Sequence, residues 1–211
     1  DDSSVPYLKE GYWYYSRYEA GRAYAIHARR KGNMDAREEL LIDENERASG
    51  QEYYRLSGME VSDDHRFVVI AEDTTGRGIH ELRILDTQKC MFLGELISGA
   101  SSSLAFSADG RYLFYMNKDP ETLLAYQLMR HRLGTTSTND VLCYEEADNT
   151  FYNGVERSRS GDYIMLLHHS RNTNEVQLLA AGDPLGTFRP FLGRETGHEY
   201  EIDHANGRFY N

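Results

Sequence analysis

The 211 residues are 40% apolar and 12% aromatic, with 16 Tyr, so the chain can bury a core and lies far from disordered composition. Charged residues make up 27% and the formal net charge is −11, with Arg alternating with acids, which excludes a phosphate-tracking surface of clustered Lys and Arg. The surplus acid reads as solubilising, with steering of cationic ligands as the functional alternative.

Short apolar or aromatic runs bounded by Gly, Asp, Asn and Ser predict strands throughout. The first is Tyr12-Trp13-Tyr14-Tyr15, followed by residues 24–28. Next, residues 34–41 are the best window of helical spacing, and residues 44–54 read as a helical turn or connector. Strands are then predicted at 67–71 and 82–85, and Gly99-Ala100-Ser101-Ser102-Ser103 reads as a loop leading into a strand. Further strands follow at 112–115, 163–167 and 176–179, and the predicted class is all-β.

A repeat overlies this pattern. Ser62-Asp63-Asp64-His65-Arg66-Phe67 returns as Ser107-Ala108-Asp109-Gly110-Arg111-Tyr112 and as Ser158-Arg159-Ser160-Gly161-Asp162-Tyr163. A fourth copy, Asp203-His204-Ala205-Asn206-Gly207-Arg208-Phe209, closes the chain, at steps of 45, 51 and 45 residues, and Lys9-Glu10-Gly11-Tyr12 is a degenerate first copy. Each copy is read as a two-residue hairpin turn in which Asp-Gly or Asn-Gly supplies positive φ between two inner strands of one sheet. Four strands per unit of about 45 residues is the period of a β-propeller, with a β-sandwich of regular hairpins as the alternative. The predicted architecture is a partial β-propeller of about four blades plus the start of a fifth. Its blades are expected at 1–50, 51–98, 99–146 and 147–194, with the next beginning at 195–211.

Cys90 and Cys143, with no C-x-x-C, are expected to be buried free thiols in a reducing, cytoplasmic compartment. No apolar run nears the roughly 18 residues of a membrane span. Asp1-Asp2-Ser3-Ser4 does not read as a signal peptide, and the missing initial Met leads to the expectation that the chain is excised from something longer. A serine hydrolase of the α/β type needs a G-x-S-x-G elbow, and Gly99-Ala100-Ser101-Ser102-Ser103 ends in Ser where the elbow requires Gly. His80-Glu81 and His198-Glu199 lack the second His of a zinc-binding helix, and the rings of His168-His169 are expected on opposite faces of a strand. With no P-loop, G-x-G-x-x-G or paired-cysteine pattern either, no catalytic residue, cofactor or metal is predicted in this chain.

A run of short segments in fixed order carries a resemblance. They include Val5-Pro6-Tyr7, Gly11 through Arg17, Tyr24-Ala25-Ile26-His27, Leu41-Ile42-Asp43-Glu44-Asn45 and Ala71-Glu72-Asp73. Further on come Leu123 through Gln127, Arg130-His131, Leu133-Gly134-Thr135, Tyr144-Glu145-Glu146 and Thr150-Phe151-Tyr152. Glu175 through Leu179, His198-Glu199-Tyr200, Asp203-His204 and Arg208-Phe209-Tyr210 complete the set. In order and spacing they resemble the N-terminal β-propeller portion of the oligopeptidase B (protease II) branch, bacterial type, of the prolyl oligopeptidase family of serine peptidases.

The resemblance implies a seven-bladed propeller lid over a C-terminal α/β-hydrolase domain that bears the Ser, Asp and His and cleaves short peptides after Arg or Lys. This chain is then a gating domain without the catalytic groups, and a free-standing propeller that binds a protein or peptide is the alternative. The resemblance also implies two latch residues toward the hydrolase domain. Glu52, in Gly50-Gln51-Glu52-Tyr53-Tyr54, matches a carboxylate in the connection from the first blade to the second. Arg77, in Thr74-Thr75-Gly76-Arg77, matches an Arg of the second blade's hairpin. Blade faces left without neighbours are expected to make the isolated chain self-associate.

Overall fold

The computed structural model describes residues 3–211, which fall into two units, one up to Leu56 and one from Ser57 to Asn211. In the first unit, β1 (Tyr7–Lys9), β2 (Tyr12–Arg17), β3 (Ile26–Lys31) and β4 (Glu38–Asp43) form an antiparallel sheet in sequence order. Tyr14 and Tyr15, on opposite faces of β2, are both buried. Residues 34–41 are therefore no helix. Their second half is β4, and Glu38 accepts hydrogen bonds from the Tyr15 hydroxyl at 2.6 Å and from Arg17 Nη2 at 3.0 Å, while Arg29 Nε donates to Glu39 at 2.8 Å. Cross-strand charge pairing outweighs a short helical pattern of apolar side chains. The expected helical turn is α1 (Glu44–Ala48), capped by Asp43, whose Oδ1 accepts from the Asn45 N–H at 2.8 Å.

The second unit is built from β5 (Arg55–Val61), which starts just ahead of the boundary, β6 (Phe67–Asp73), β7 (His80–Asp86) and β8 (Met91–Phe92). It continues with β9 (Ile97–Phe106), β10 (Tyr112–Lys118), β11 (Ala125–Arg132) and β12 (Val141–Glu145). These eight strands share one sheet because β9 pairs with β7 at its start and with β10 at its end, Ala100 touching both His80 and Asn117. Residues 99–103 thus lie inside a strand, not in a loop leading to one, and β9 runs through the 98/99 step. A four-stranded sheet of β13 (Tyr152–Arg157), β14 (Tyr163–His169), β15 (Asn174–Ala180) and β16 (Arg189–Pro190) follows, then a hairpin of β17 (Asp203–Ala205) and β18 (Arg208–Tyr210).

Two apolar layers separate successive sheet segments. Val69, Leu82 and Ile84 pack with Leu104, Phe106 and Leu113 in one. Ala105, Phe114 and Met116, side chains of the other face of β9 and β10, pack with Val155, Ile164 and Leu179 in the next. Burying both faces of the same strands removes two layers of apolar surface from water, at about 25 cal/mol per Å². The first strands of the segments also approach one another in series. A Cβ on Gly58 of β5 would lie 2.4 Å from the Ser102 carbonyl oxygen of β9. Ser103 Oγ in turn donates to the Val155 carbonyl of β13 at 2.8 Å and accepts its N–H at 2.7 Å. A serial convergence of inner strands is what wedges around an axis require, and the fold is an all-β partial propeller.

The recurring turns differ from the two-residue form expected for all of them. In the three central copies the closing bond runs from Ser62 N to Phe67 O, Ser107 N to Tyr112 O and Ser158 N to Tyr163 O, each at 2.9 Å, leaving four residues in the loop. The first Ser organises each loop: Ser62 Oγ and Ser107 Oγ donate at 2.6 Å to Asp64 and Asp109, and accept the N–H of Phe67 and Tyr112 at 2.9 and 3.0 Å. Only one position per loop has positive φ, filled by His65, Gly110 and Gly161. The two-residue form is confined to the terminal copies, Glu10-Gly11 and Asn206-Gly207, where both residues have positive φ.

Neither cysteine is in a disulfide, but Cys90 is exposed and Cys143 only half-buried, contrary to the expected burial. Cys90 sits in the β7–β8 turn, with φ +52°, where residues 88–90 are all exposed.

Candidate interdomain face

Antiparallel pairing sends the Ser-anchored turns to one end of the second unit and the β6–β7, β10–β11 and β14–β15 hairpins to the other. The connections 146–151 and 191–202 lie at that hairpin end as well. Arg77 is exposed on the β6–β7 hairpin. That loop is rigid because buried Asp73 sits inside it: its Oδ1 accepts from Thr75 N, Thr75 Oγ1 and Gly76 N at 2.8–2.9 Å, and its Oδ2 accepts from Gly78 N at 2.7 Å. Burial works to raise the Asp73 carboxyl, but these donors outweigh it and hold it below the usual carboxylate range. The neighbouring β10–β11 loop is built likewise on Asp119, whose Oδ1 accepts from Thr122 N and Glu121 N at 2.7 and 2.8 Å. The two loops are tied together, Lys118 Nζ donating to the Gly78 carbonyl at 2.8 Å and Arg77 Nη2 to the Pro120 carbonyl at 3.3 Å. Arg77 thus sits exposed on a pair of tied loops, and among the described residues most of its donors are uncommitted.

Glu52 lies in the first unit, on the connection after α1, and is exposed. Its loop is anchored two residues on by buried Tyr54, which meets the Tyr24 ring edge-on at 5.7 Å. Among the described residues Glu52 makes no hydrogen bond or ion pair, so its carboxylate is available to a group outside them. Glu52 and Arg77 belong to different units, and each has its own scaffold.

The sequence pattern gave no sign of a buried polar cluster at the hairpin end. Arg194 donates to Glu146 through Nη2 at 2.6 Å and to Glu175 through Nε at 2.6 Å, and its guanidinium lies 3.9 Å from the centre of the Phe151 ring. His168 is buried beside it, hydrogen-bonded to Asn153 Oδ1 at 2.7 Å and to Gln177 Nε2 at 3.1 Å. Burial, reinforced by the Arg194 charge, holds His168 down at about 4, so it is neutral at pH 7. Burial works to raise Glu146, but Arg194 and the Asp148 N–H keep it below the ordinary carboxylate range. The cluster staples the connections 146–151 and 191–202 onto β14 and β15. No local spacing encodes it, because Arg194 and Glu146 are 48 residues apart. His168 is buried and His169 exposed, as strand alternation requires.

Residues 1–211 match the family model described as prolyl oligopeptidase, N-terminal beta-propeller domain. Among curated proteins, the chain is 38% identical over 224 residues to a dipeptidyl aminopeptidase BI of Pseudoxanthomonas mexicana, an alignment covering 99% of this chain and 31% of that protein. It is 29% identical to Protease 2 of Moraxella lacunata, covering 96% of this chain and 30% of the relative. The solved oligopeptidase B of Leishmania major superposes with a TM-score of 0.89 at 27% identity, over 97% of this chain and 29% of that one. A closed form of oligopeptidase B from Trypanosoma brucei with covalently bound antipain gives 0.86 at 25% identity, over 97% and 29%. The chain therefore spans about a third of the length of the curated relatives it matches.

Proposed function

The chain belongs to the prolyl oligopeptidase N-terminal β-propeller family, and from that membership we propose that it is the lid of a serine-type oligopeptidase that cleaves short peptides after Arg or Lys. The observation that carries the reading is the match to the family along all 211 residues, joined to the superposition on oligopeptidase B. The blades are assigned as 1–50, 51–98, 99–146 and 147–194, with the next starting at 195–211. The Ser, Asp and His lie in a C-terminal α/β-hydrolase domain of the parent protein, which works in the cytoplasm.

In this reading the lid supplies exclusion and positioning, and its hairpin end faces the hydrolase domain. Glu52 and Arg77 are the latch: each is an exposed charge on an anchored loop, and only the closed enzyme brings opposite charges onto them. Exposed ion pairs contribute little each, about 0–1 kcal/mol, which suits a latch that must reopen. The full-length protein, assayed on chromogenic peptides ending in Arg, Lys or Ala, is expected to turn over the first two and to be silenced by a serine-directed inhibitor. Its Glu52→Ala variant is expected to lose about three- to tenfold in kcat/KM, with a more open profile in small-angle scattering. Equal turnover of the Ala peptide, or resistance to the inhibitor, overturns the assigned activity; unchanged kinetics and scattering overturn the latch alone.

A further inference from the structure

Outside the hairpin end, the second unit holds a histidine enclosed by two carboxylates. His131 of β11 is fully buried, with Nδ1 2.7 Å from Asp140 Oδ1 and Nε2 3.3 Å from Glu95 Oε2. Asp140 closes the β11–β12 hairpin and also accepts from the Tyr115 hydroxyl of β10 at 2.8 Å. Glu95 belongs to a different segment, the stretch between β8 and β9, and it also accepts the Gly134 N–H. Ser137 Oγ adds a bond across the same seam, to the Leu96 carbonyl at 3.2 Å.

We infer that His131, as an imidazolium donating from both ring nitrogens, is a protonation-dependent fastener between the Glu95 segment and the 133–140 hairpin, and that losing its proton loosens this seam. The argument is one of donor counting. A neutral imidazole has one N–H, so only one of the two carboxylates would be satisfied, and the other would face a ring lone pair with almost no water to replace the bond. Both carboxylates are themselves nearly buried, at 1% and 9% side-chain exposure for Asp140 and Glu95, so the cation is what balances them. Asp140 and Glu95 are the charged groups that bear on the ring, with Tyr115 behind Asp140. Burial works to lower the His131 pKa, but the bonds to Asp140 and Glu95 outweigh it and push it up to about 9. A pKa raised from 6.5 contributes its full stabilisation below pH 6.5, and the contribution is lost as pH climbs through about 9.

Hydrogen exchange of the full-length protein, corrected for intrinsic rates, tests this. Between about pH 7 and 9.5, protection of residues 93–97 and 133–141 is expected to fall about tenfold or more, while residues 163–180 hold constant. Glu95→Gln, which leaves the ring on Asp140, is expected to move the midpoint down, and His131→Gln to show low protection of both segments at every pH. Protection of the seam that does not change with pH, or a pH slope surviving in His131→Gln, overturns the proposal. Should His131→Gln fail to fold, an unmoved midpoint in Glu95→Gln does the same.

Discussion

Gly58 shows how one atom can set the packing of two strands. Its place on β5 opposite the Ser102 carbonyl leaves no room for a Cβ, and the obstacle is backbone, which cannot rotate aside. Gly58→Ala is therefore expected to cost about 1–3 kcal/mol in denaturant unfolding, by forcing β5 and β9 apart. A loss below half a kcal/mol would mean that the inner strands are not held in this contact. Little of this was legible in the residue itself, because a glycine within a strand pattern signals only a bulge or a close approach, not the partner. The same holds for Arg157, which donates to the Phe106 carbonyl at 2.6 Å, to Asp63 at 3.0 Å and to the Gly161 carbonyl. It joins two turns to the end of β9, yet Asp63 is 94 residues away in sequence.

At the scale of elements, the repeat was legible because each copy is a local hydrogen-bonding program. Ser, then Asp or Ser two positions on, then an aromatic, is the pattern that the central turns use. What was misread is the turn's size: Gly drew attention to the φ-positive position, while the Ser hydroxyl that fixes a four-residue loop passed as ordinary turn composition. Ser107→Ala is accordingly expected to cost about 1–2 kcal/mol, since it strips the acceptor for the Tyr112 N–H and the donor to Asp109. Equilibrium unfolding measures it, and an unchanged midpoint would show that backbone bonds alone close the loop. Seven predicted strands appear in the structure with shifted ends; among the strands outside those runs, β4 and β13 were not predicted and the first half of β9 was read as a loop. Those three carry Glu, Ser or Gly where strand propensity is low; pairing with β3 holds β4, and Ser103 joins β9 to β13.

At the scale of the whole molecule, the second unit sets its sheet segments in series and exposes Arg77 on a hairpin at one end. The all-β class followed from strand composition and the propeller reading from the repeat period, but Glu52 and Arg77 rested on resemblance, because an exposed acid and an exposed base on polar loops have no distinguishing local pattern. The Arg194–Glu146–Glu175 cluster had none either, since its members come from separate connections and strands. A lid acts by size exclusion, and that property separates it from a binding module with the same blades. The most direct measurement offers the full-length protein one Arg-containing sequence in two forms, as a free peptide of about ten residues and within a loop of a stably folded protein. Cleavage of the free peptide is expected, with at least about a hundredfold slower cleavage of the folded form. Comparable rates on both, or no cleavage of the free peptide, would contradict the lid reading.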